Sequence, residues 1–306
     1  MEEIMRILPE KIRSHLQKLD LCQQEQLEEI RIRLFRPVEV IFSGHHLFLP
    51  YAASPEDGQV LMNEISGFSI YALEEELRRG YVTISGGHRV GLAGKVITAG
   101  GKVKMIRDVT SFNIRVARQK IGAADQLIPF LYTDRWLNTL VAGPPQSGKT
   151  TMLRDMARII SSGSENQGSL KVGIVDERSE IAGSVNGVPQ HTFGHRLDVL
   201  DSCPKAEGMM MMIRSLSPDV MVADEIGSAE DCRAIMEAIH AGVRIMVSVH
   251  GFSAADAARR PALAPLFRSH VFERIIELDR ERGKRVFRIL DGSFKPVAEE
   301  GLLWSS

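Results

Sequence analysis

Apolar and polar positions follow two different rhythms along this chain. Over residues 1–120, short helical and alternating stretches succeed one another. Ile12, Leu16 and Leu19 share one helical face behind Pro9, which predicts a helix over 9–19. Ile30-Arg31-Ile32-Arg33-Leu34 alternates as a half-buried strand does, and 38–42 repeats the pattern after Pro37, with Ser43-Gly44 as a turn. Ser54-Pro55 opens a helix, and Ser69 caps another that stops at Gly80. Strands are predicted over 81–84, 89–97, 103–109 and 112–117, separated by glycine-rich turns. The expectation for this part is an α+β region built from antiparallel hairpins.

A linking helix is predicted over 122–132, and from Trp136 the rhythm changes. Apolar strands at 137–142, 170–175, 220–223 and 243–249 alternate with helices from Gly148, over 206–216 and over 229–240. Short apolar strands alternating with helices predict an α/β domain, its mostly parallel sheet covered on both faces. Segments 272–278 and 285–290, joined at Gly283, read as a closing hairpin. The expected organisation is an amino-terminal α+β domain over 1–120, a linker helix over 121–135 and an α/β domain over 136–306.

Composition narrows the class without naming it. The 306 residues are 44% hydrophobic and 25% charged, ordinary for a globular chain, with a formal net charge of −1. No global basic field draws the chain to nucleic acid, so no nucleic-acid partner is expected. No apolar run approaches the ~20 residues a membrane helix needs. The start, MEEIMRILPEKIRSHL, lacks the basic region and cleavage site of a signal peptide. Cys22, Cys203 and Cys232 are scattered and form no zinc pattern, which predicts reduced thiols. A soluble cytoplasmic protein is the expectation.

The candidate chemistry begins at GPPQSGKT. Gly143, Pro144, Pro145, Gln146, Ser147, Gly148, Lys149 and Thr150, with Thr151 behind them, fit the phosphate-loop pattern without a gap. Chance gives such a match in roughly one chain in a hundred of this length. An apolar strand before it and a helical pattern after it sharpen the signal. The glycines let backbone N–H groups turn inward around phosphate oxygens, and the positive end of the next helix adds to the attraction. Lys149 reaches the β- and γ-phosphates, and the Thr150 hydroxyl is placed for Mg²⁺. Lys149 is expected to face solvent when no nucleotide is bound.

Three further strand ends carry acids or histidine. In PDVMVADEIG, Asp224 suits the water shell of a metal ion and Glu225 is placed to polarise an attacking water. LKVGIVDERSE ends in Asp176, Glu177 and Arg178, with Glu180 nearby, and its acids compete with Glu225 for that role. RIMVSVHG ends in His250, expected in the same sheet and suited to sensing the γ-phosphate. Arg214 either holds local geometry or faces a neighbouring subunit. Arg89, Arg107 and Arg115 lie on strands of the first domain. Each alone fits a solvated sheet face, while Arg115 and Arg89 also fit closure over the γ-phosphate.

In that order, GPPQSGKT, VDERSE, VMVADEIG and SVHG resemble the phosphate loop, acid box, metal-binding strand and histidine box of the secretion-type ATPase superfamily. That superfamily powers type II and type IV secretion and pilus assembly. The stretch 213–250 looks like its long signature, and EEIRIRLFRPVEV, GYVTISGGHRVGLAGKVI and SFNIRVARQ look like a sporulation branch of it. The resemblance implies a RecA-like motor domain behind a smaller amino-terminal domain, working with ATP and Mg²⁺ as a homo-hexamer. It implies a place at the mother-cell face of the membranes around a developing spore. There the motor would associate peripherally with membrane proteins of a channel and energise it. It assigns phosphate and metal roles to Lys149 and Thr150, box roles to Asp176, Glu225 and His250, and nucleotide approach to Arg89 and Arg115. The chain departs from the superfamily in having Asp224 where glycine is usual, in opening its acid box with Asp176 in place of glutamate, and in lacking a four-cysteine zinc insert. The alternative is a nucleotide-dependent assembly scaffold with little turnover.

Overall fold

In the computed structural model, which describes residues 1–42, 45–67, 74–164, 167–281 and 284–305, the chain separates into two units, Met1–Arg118 and Gln119–Ser306. The expected turns at Ser43-Gly44 and Gly283 and the cap at Ser69 lie outside the described residues.

The alternation in the first unit becomes a six-stranded antiparallel sheet. Helices α1 (Glu2–Ile7), α2 (Glu10–Leu16) and α3 (Leu21–Gln26) precede β1 (Leu27–Arg33), β2 (Pro37–Phe42) and β3 (His45–Ala52). Then come α4 (Pro55–Ser66), α5 (Glu74–Arg79), β4 (Tyr81–Ile84), β5 (His88–Ala99) and β6 (Lys102–Arg115), giving the order β3-β2-β1-β6-β5-β4. On β1, β2 and β4, at the start of β5 and at the end of β6, alternate residues are buried. Ile30, Ile32, Val38, Val40, Val90 and Ile114 are buried with Ile4, Ile12, Leu16 and Leu61 in one core. Burying each such side chain is worth ~1.5–3 kcal/mol. The intervening positions, among them Arg31, Arg33, Arg89 and Arg115, stay on the wetter face.

Segments 103–109 and 112–117, expected as separate strands, are one strand. The intervening Thr110-Ser111 extends as strand, and a bulge bends β6 without ending it. Asp108 takes φ 46°, and pairing with β5 slips between Ala93 and Lys95. Gly94 allows this approach, since a Cβ there would sit 2.6 Å from the Asp108 carbonyl oxygen.

In the second unit, the expected linking helix is a 3₁₀ turn over Asp125–Leu127 followed by α6 (Ile128–Leu131). Ala124, Leu127 and Leu131 are wholly buried in this unit's core. Next come β7 (Thr139–Gly143), α7 (Lys149–Ser162), β8 (Val172–Asp176), β9 (Leu197–Asp201), α8 (Lys205–Ser215) and β10 (Val220–Ala223). Helix α9 (Ala229–His240), β11 (Arg244–His250), α10 (Ala254–Ala258), α11 (Ala264–Arg268), β12 (Arg274–Glu281), β13 (Lys284–Asp291) and β14 (Pro296–Ser305) complete it. The eight strands run β14-β13-β12-β7-β11-β10-β8-β9. Those from β12 to β9 are mutually parallel, and β13 and β14 form an antiparallel margin.

Both faces of this sheet are covered, which is why its central strands read as unbroken apolar runs. Leu140, Ala142, Met221, Ala223, Ile245 and Val247 pack with Met209 and Met212 of α8 and Ile235 and Ala238 of α9. Their neighbours Val141, Val172, Ile174, Val220, Val222 and Met246 pack on Met152, Leu153, Met156 and Ile160 of α7. The cysteines are free thiols. No helix among the described residues is long and apolar enough to cross a membrane.

Candidate active site

The phosphate loop joins β7 to α7, as its pattern requires. Gly143 admits no side chain, because a Cβ there would lie 2.6 Å from both the Leu278 carbonyl oxygen and Ser147 Oγ. Gln146 (φ 63°) and Gly148 (φ 103°) take left-handed backbone conformations that curl the loop. Ser147 Oγ is buried without a hydrogen-bond partner. At the start of α7, Met152 N–H is the first to find a helical carbonyl, that of Gly148 at 2.9 Å. Among the described residues, the N–H groups of Gly148, Lys149, Thr150 and Thr151 have no acceptor within the chain. A concave run of unpaired donors at the positive end of a 14-residue helix is chemistry that suits a phosphate chain.

Lys149 does not face solvent. It is 5% exposed, and its ammonium donates to the carbonyls of Gly143 and Pro144, both at 2.9 Å, and to His250 Nδ1 at 3.2 Å. A long cation beside inward-facing carbonyls folds back on them and satisfies all three of its donors. Burial pulls its pKa below the ordinary lysine value, against the upward pull of Asp224 and Glu225.

Sheet order brings the other groups alongside. Strand β11 lies between β7 and β10, with His250 in register with Gly143, and β8 flanks β10. Thr150 Oγ1 donates to Asp224 Oδ2 at 2.6 Å, and Ser248 Oγ donates to Asp224 Oδ1. The same Ser248 oxygen accepts the Glu225 N–H at 2.9 Å, while the Ser248 carbonyl accepts Ile226 N–H at 2.8 Å. Glu225 itself sits at φ 52°, a left-handed conformation costing about 1–2 kcal/mol that turns it off the strand line. Its carboxylate is held on both sides, by His250 Nε2 on Oε1 at 2.5 Å and by Arg178 Nη1 on Oε2 at 2.7 Å. With Lys149 donating to Nδ1, the imidazole carries its hydrogen on Nε2 and donates to Glu225.

Among the described residues, no three or more His, Cys, Asp or Glu side chains form a cation cage. Mg²⁺ takes one or two protein oxygens beside phosphate and water. The hydroxyl of Thr150 and the carboxylate of Asp224 are hard donors of that kind.

Asp176 has another employment. It is 1% exposed, and its two oxygens accept N–H groups from Glu180 (2.8 Å), Ile181 (2.9 Å) and Ala182 (2.8 Å). Arg154 of α7 clasps the same turn from its carbonyl side, donating to Ile181 O at 2.6 Å and Glu180 O at 2.5 Å. Glu177 pairs with Lys205. These contacts make the acid box an anchor for the loop after β8. Arg214 lies exposed at the end of α8, in a groove against α9 with Met210 and Met211.

In the first unit, Arg89 and Arg115 are Cα partners across β5 and β6. The Arg89 guanidinium lies over the Tyr81 ring, 4.0 Å from its centroid, and Arg115 Nε lies 3.4 Å from Glu29. Arg107 lines a cavity on the same unit with Met62 and Ile106. Sequence reasoning missed Ser248 and Arg154 and gave Arg178 no task. A period-two reading of SVH reaches Ser248, because it shares the His250 face of β11.

A glycine-rich strand-to-helix turn, an acid pair on the next-but-one strand and a histidine on the strand between them, set on a mostly parallel sheet, are laid out as in the RecA-like fold. Solved structures agree over nearly the whole chain. The ATPase DotB of Legionella pneumophila superposes with a TM-score of 0.65 at 15% identity, covering 93% of this chain and 81% of that one. The pilus retraction motor PilT, with ADP bound in its crystal structure, gives 0.61 at 19% identity, covering 89% and 82%. The family model for sporulation stage III, protein AA matches residues 1–292. Stage III sporulation protein AA of Bacillus subtilis is 56% identical over 283 residues, 92% of each chain. The chain belongs to the stage III sporulation protein AA family.

Proposed function

We propose that this chain is a Mg²⁺-dependent ATPase that converts ATP and water to ADP and phosphate. In this reading it drives a transport channel across the membranes between mother cell and forespore. It works as a homo-hexamer on the mother-cell side, held to the membrane through the channel's own proteins. The observation that carries the reading is the meeting, at the carboxyl ends of neighbouring interior strands, of unpaired loop N–H groups, the Thr150–Asp224 pair and Glu225. The N–H groups bind the phosphates, and Lys149 exchanges its carbonyl partners for β- and γ-phosphate oxygens. Thr150 and Asp224 would hold the metal and its water, and Mg²⁺ would supply positive charge beside the phosphate oxygens. Glu225 orients and polarises the water, and His250 reports the γ-phosphate through the lysine it now accepts from. Asp176 and Arg154 fix the neighbouring loop, and Arg89 and Arg115 close over the γ-phosphate and neutralise the charge that develops on it.

Steady-state phosphate release by the purified chain tests this. Glu225→Gln is expected to lower turnover at least about a hundredfold while ATP still binds. Lys149→Ala is expected to weaken ATP binding tenfold or more, by about 1.4 kcal/mol or greater, with the fold checked by circular dichroism. Full turnover in Glu225→Gln sinks the hydrolytic assignment. Tight ATP binding without turnover in the native chain would favour the assembly scaffold.

A further inference from the structure

Arg178 stands apart from the acids around it, being well exposed yet aimed at the half-buried Glu225. It lies on the loop after β8, whose backbone is held on each side of it. Asp176 and Arg154 grip residues 180–182, Glu177 pairs with Lys205, and Ser179 Oγ donates to Asp201 Oδ1 at 2.6 Å. Ser179 takes a left-handed φ of 53°, which turns the chain sharply just after Arg178. The guanidinium is therefore presented from a fixed base.

What it meets is a carboxylate with few other restraints. Glu225 lies just beyond the end of β10, and its side chain leaves a strained residue. His250 holds one oxygen, but a single hydrogen bond leaves the carboxylate free to swing about its terminal torsion, which has a broad preference. Arg178 on the other oxygen at 2.7 Å fixes the plane. Each oxygen keeps a lone pair for a water.

We infer that Arg178 is a positioning residue for hydrolysis, acting through Glu225. It orients the carboxylate that polarises the attacking water and makes no contribution of its own to nucleotide affinity. The inference rests on the role proposed above for Glu225. It also gives the acid box its purpose: Asp176 and Arg154 fasten the loop so that Arg178 arrives in place.

The test uses the full chain as Arg178→Ala, Arg178→Lys, Glu225→Gln and the Arg178→Ala/Glu225→Gln double variant. Phosphate release, single-turnover rate, binding of a fluorescent ATP analogue and melting temperature are measured for each. Arg178→Ala is expected to lower kcat by roughly tenfold to a hundredfold, with KM and analogue affinity within about twofold. Arg178→Lys restores most of that loss, because an ammonium can reach the same oxygen. The double variant turns over no more slowly than Glu225→Gln alone, as two residues acting on one step should. Unchanged or raised kcat in Arg178→Ala overturns the inference. So does a rise in KM at constant kcat, or a further tenfold loss in the double variant. Should Glu225→Gln itself keep full turnover, the Glu225 role fails. A silent Arg178→Ala beside an inactive Glu225→Gln sinks the positioning role alone. Because Arg178 is exposed, its truncation opens no core cavity, and an unchanged melting temperature separates lost positioning from lost fold.

Discussion

At Asp176, burial and hydrogen bonding pull in opposite directions. Removal from water pushes the carboxyl's pKa up to about 6, against the backbone N–H groups of Ala182 and Glu180, which favour the charged form. In the unfolded chain the same group titrates near 3.8. Between those values the folded chain holds a proton that the unfolded chain has released, so this group's contribution to stability is fully present below pH 3.8 and is lost as pH rises through about 6. Urea unfolding at pH 4.5 and 6.5 measures it. The difference in stability between native chain and Asp176→Asn should change between the two pH values by an amount on the order of 2 kcal/mol, the native chain faring relatively better in acid. A constant difference would remove the titration from Asp176. Legibility at this scale follows the range of each interaction. Lys149, Thr150, Asp224, Glu225 and His250 stand out in sequence because each lies at a fixed offset from a strand end or glycine pair. Arg154 and Arg178 do not, because their tasks are defined by partners 27 and 47 positions away, across crossovers that no local pattern encodes, and Ser248 shows only through its two-residue offset from His250.

Elements with strong local signals formed where the pattern put them. Strand β10 occupies Val220–Ala223 and α9 occupies Ala229–His240, the ranges the pattern of apolar strands and helices predicts. Strands β9 and β14 were illegible for physical reasons. β9 is a half-exposed edge of five residues, and β14 contains Pro296, two glutamates and Gly301, which an edge strand tolerates and a central one does not. Helix α9 bears on the site because its cap follows directly on the acid strand. Ser228 Oγ accepts Asp231 N–H at 3.0 Å, and Asp231 Oδ2 accepts the N–H groups of Gly227 and Ser228, both at 2.9 Å. Ser228→Ala is expected to cost about 1 kcal/mol in urea unfolding, with ATP affinity within about twofold of native. Unchanged stability would mean that Asp231 alone carries the cap.

For the whole molecule, the two units hold different parts of the proposed chemistry. The second contains the loop, Thr150, Asp224 and Glu225, all at the carboxyl ends of neighbouring interior strands. The first contributes Arg89 and Arg115, side by side on an antiparallel sheet whose other face is core. Arginine that neutralises charge on the γ-phosphate can come from the same chain or from a neighbour, and in a ring of identical head-to-tail subunits the two cases separate on mixing. Arg115→Ala subunits keep Glu225 but lack the arginine; Glu225→Gln subunits keep the arginine but lack the base. If Arg115 serves the neighbouring chain's nucleotide, each junction of suitable polarity regains one complete site. Turnover of the mixture then peaks near equal proportions, at roughly a quarter of the native value for random assembly. If Arg115 serves its own chain, no ratio recovers activity. If Arg115→Ala alone turns over normally, activity follows the fraction of those subunits in a straight line, and the arginine has no part in hydrolysis. Native mass measurement of the same mixtures, with a slowly hydrolysed ATP analogue present, should find assemblies of six chains of mixed composition. Lasting monomers at micromolar concentration would refute the ring itself, and with it any sharing of sites.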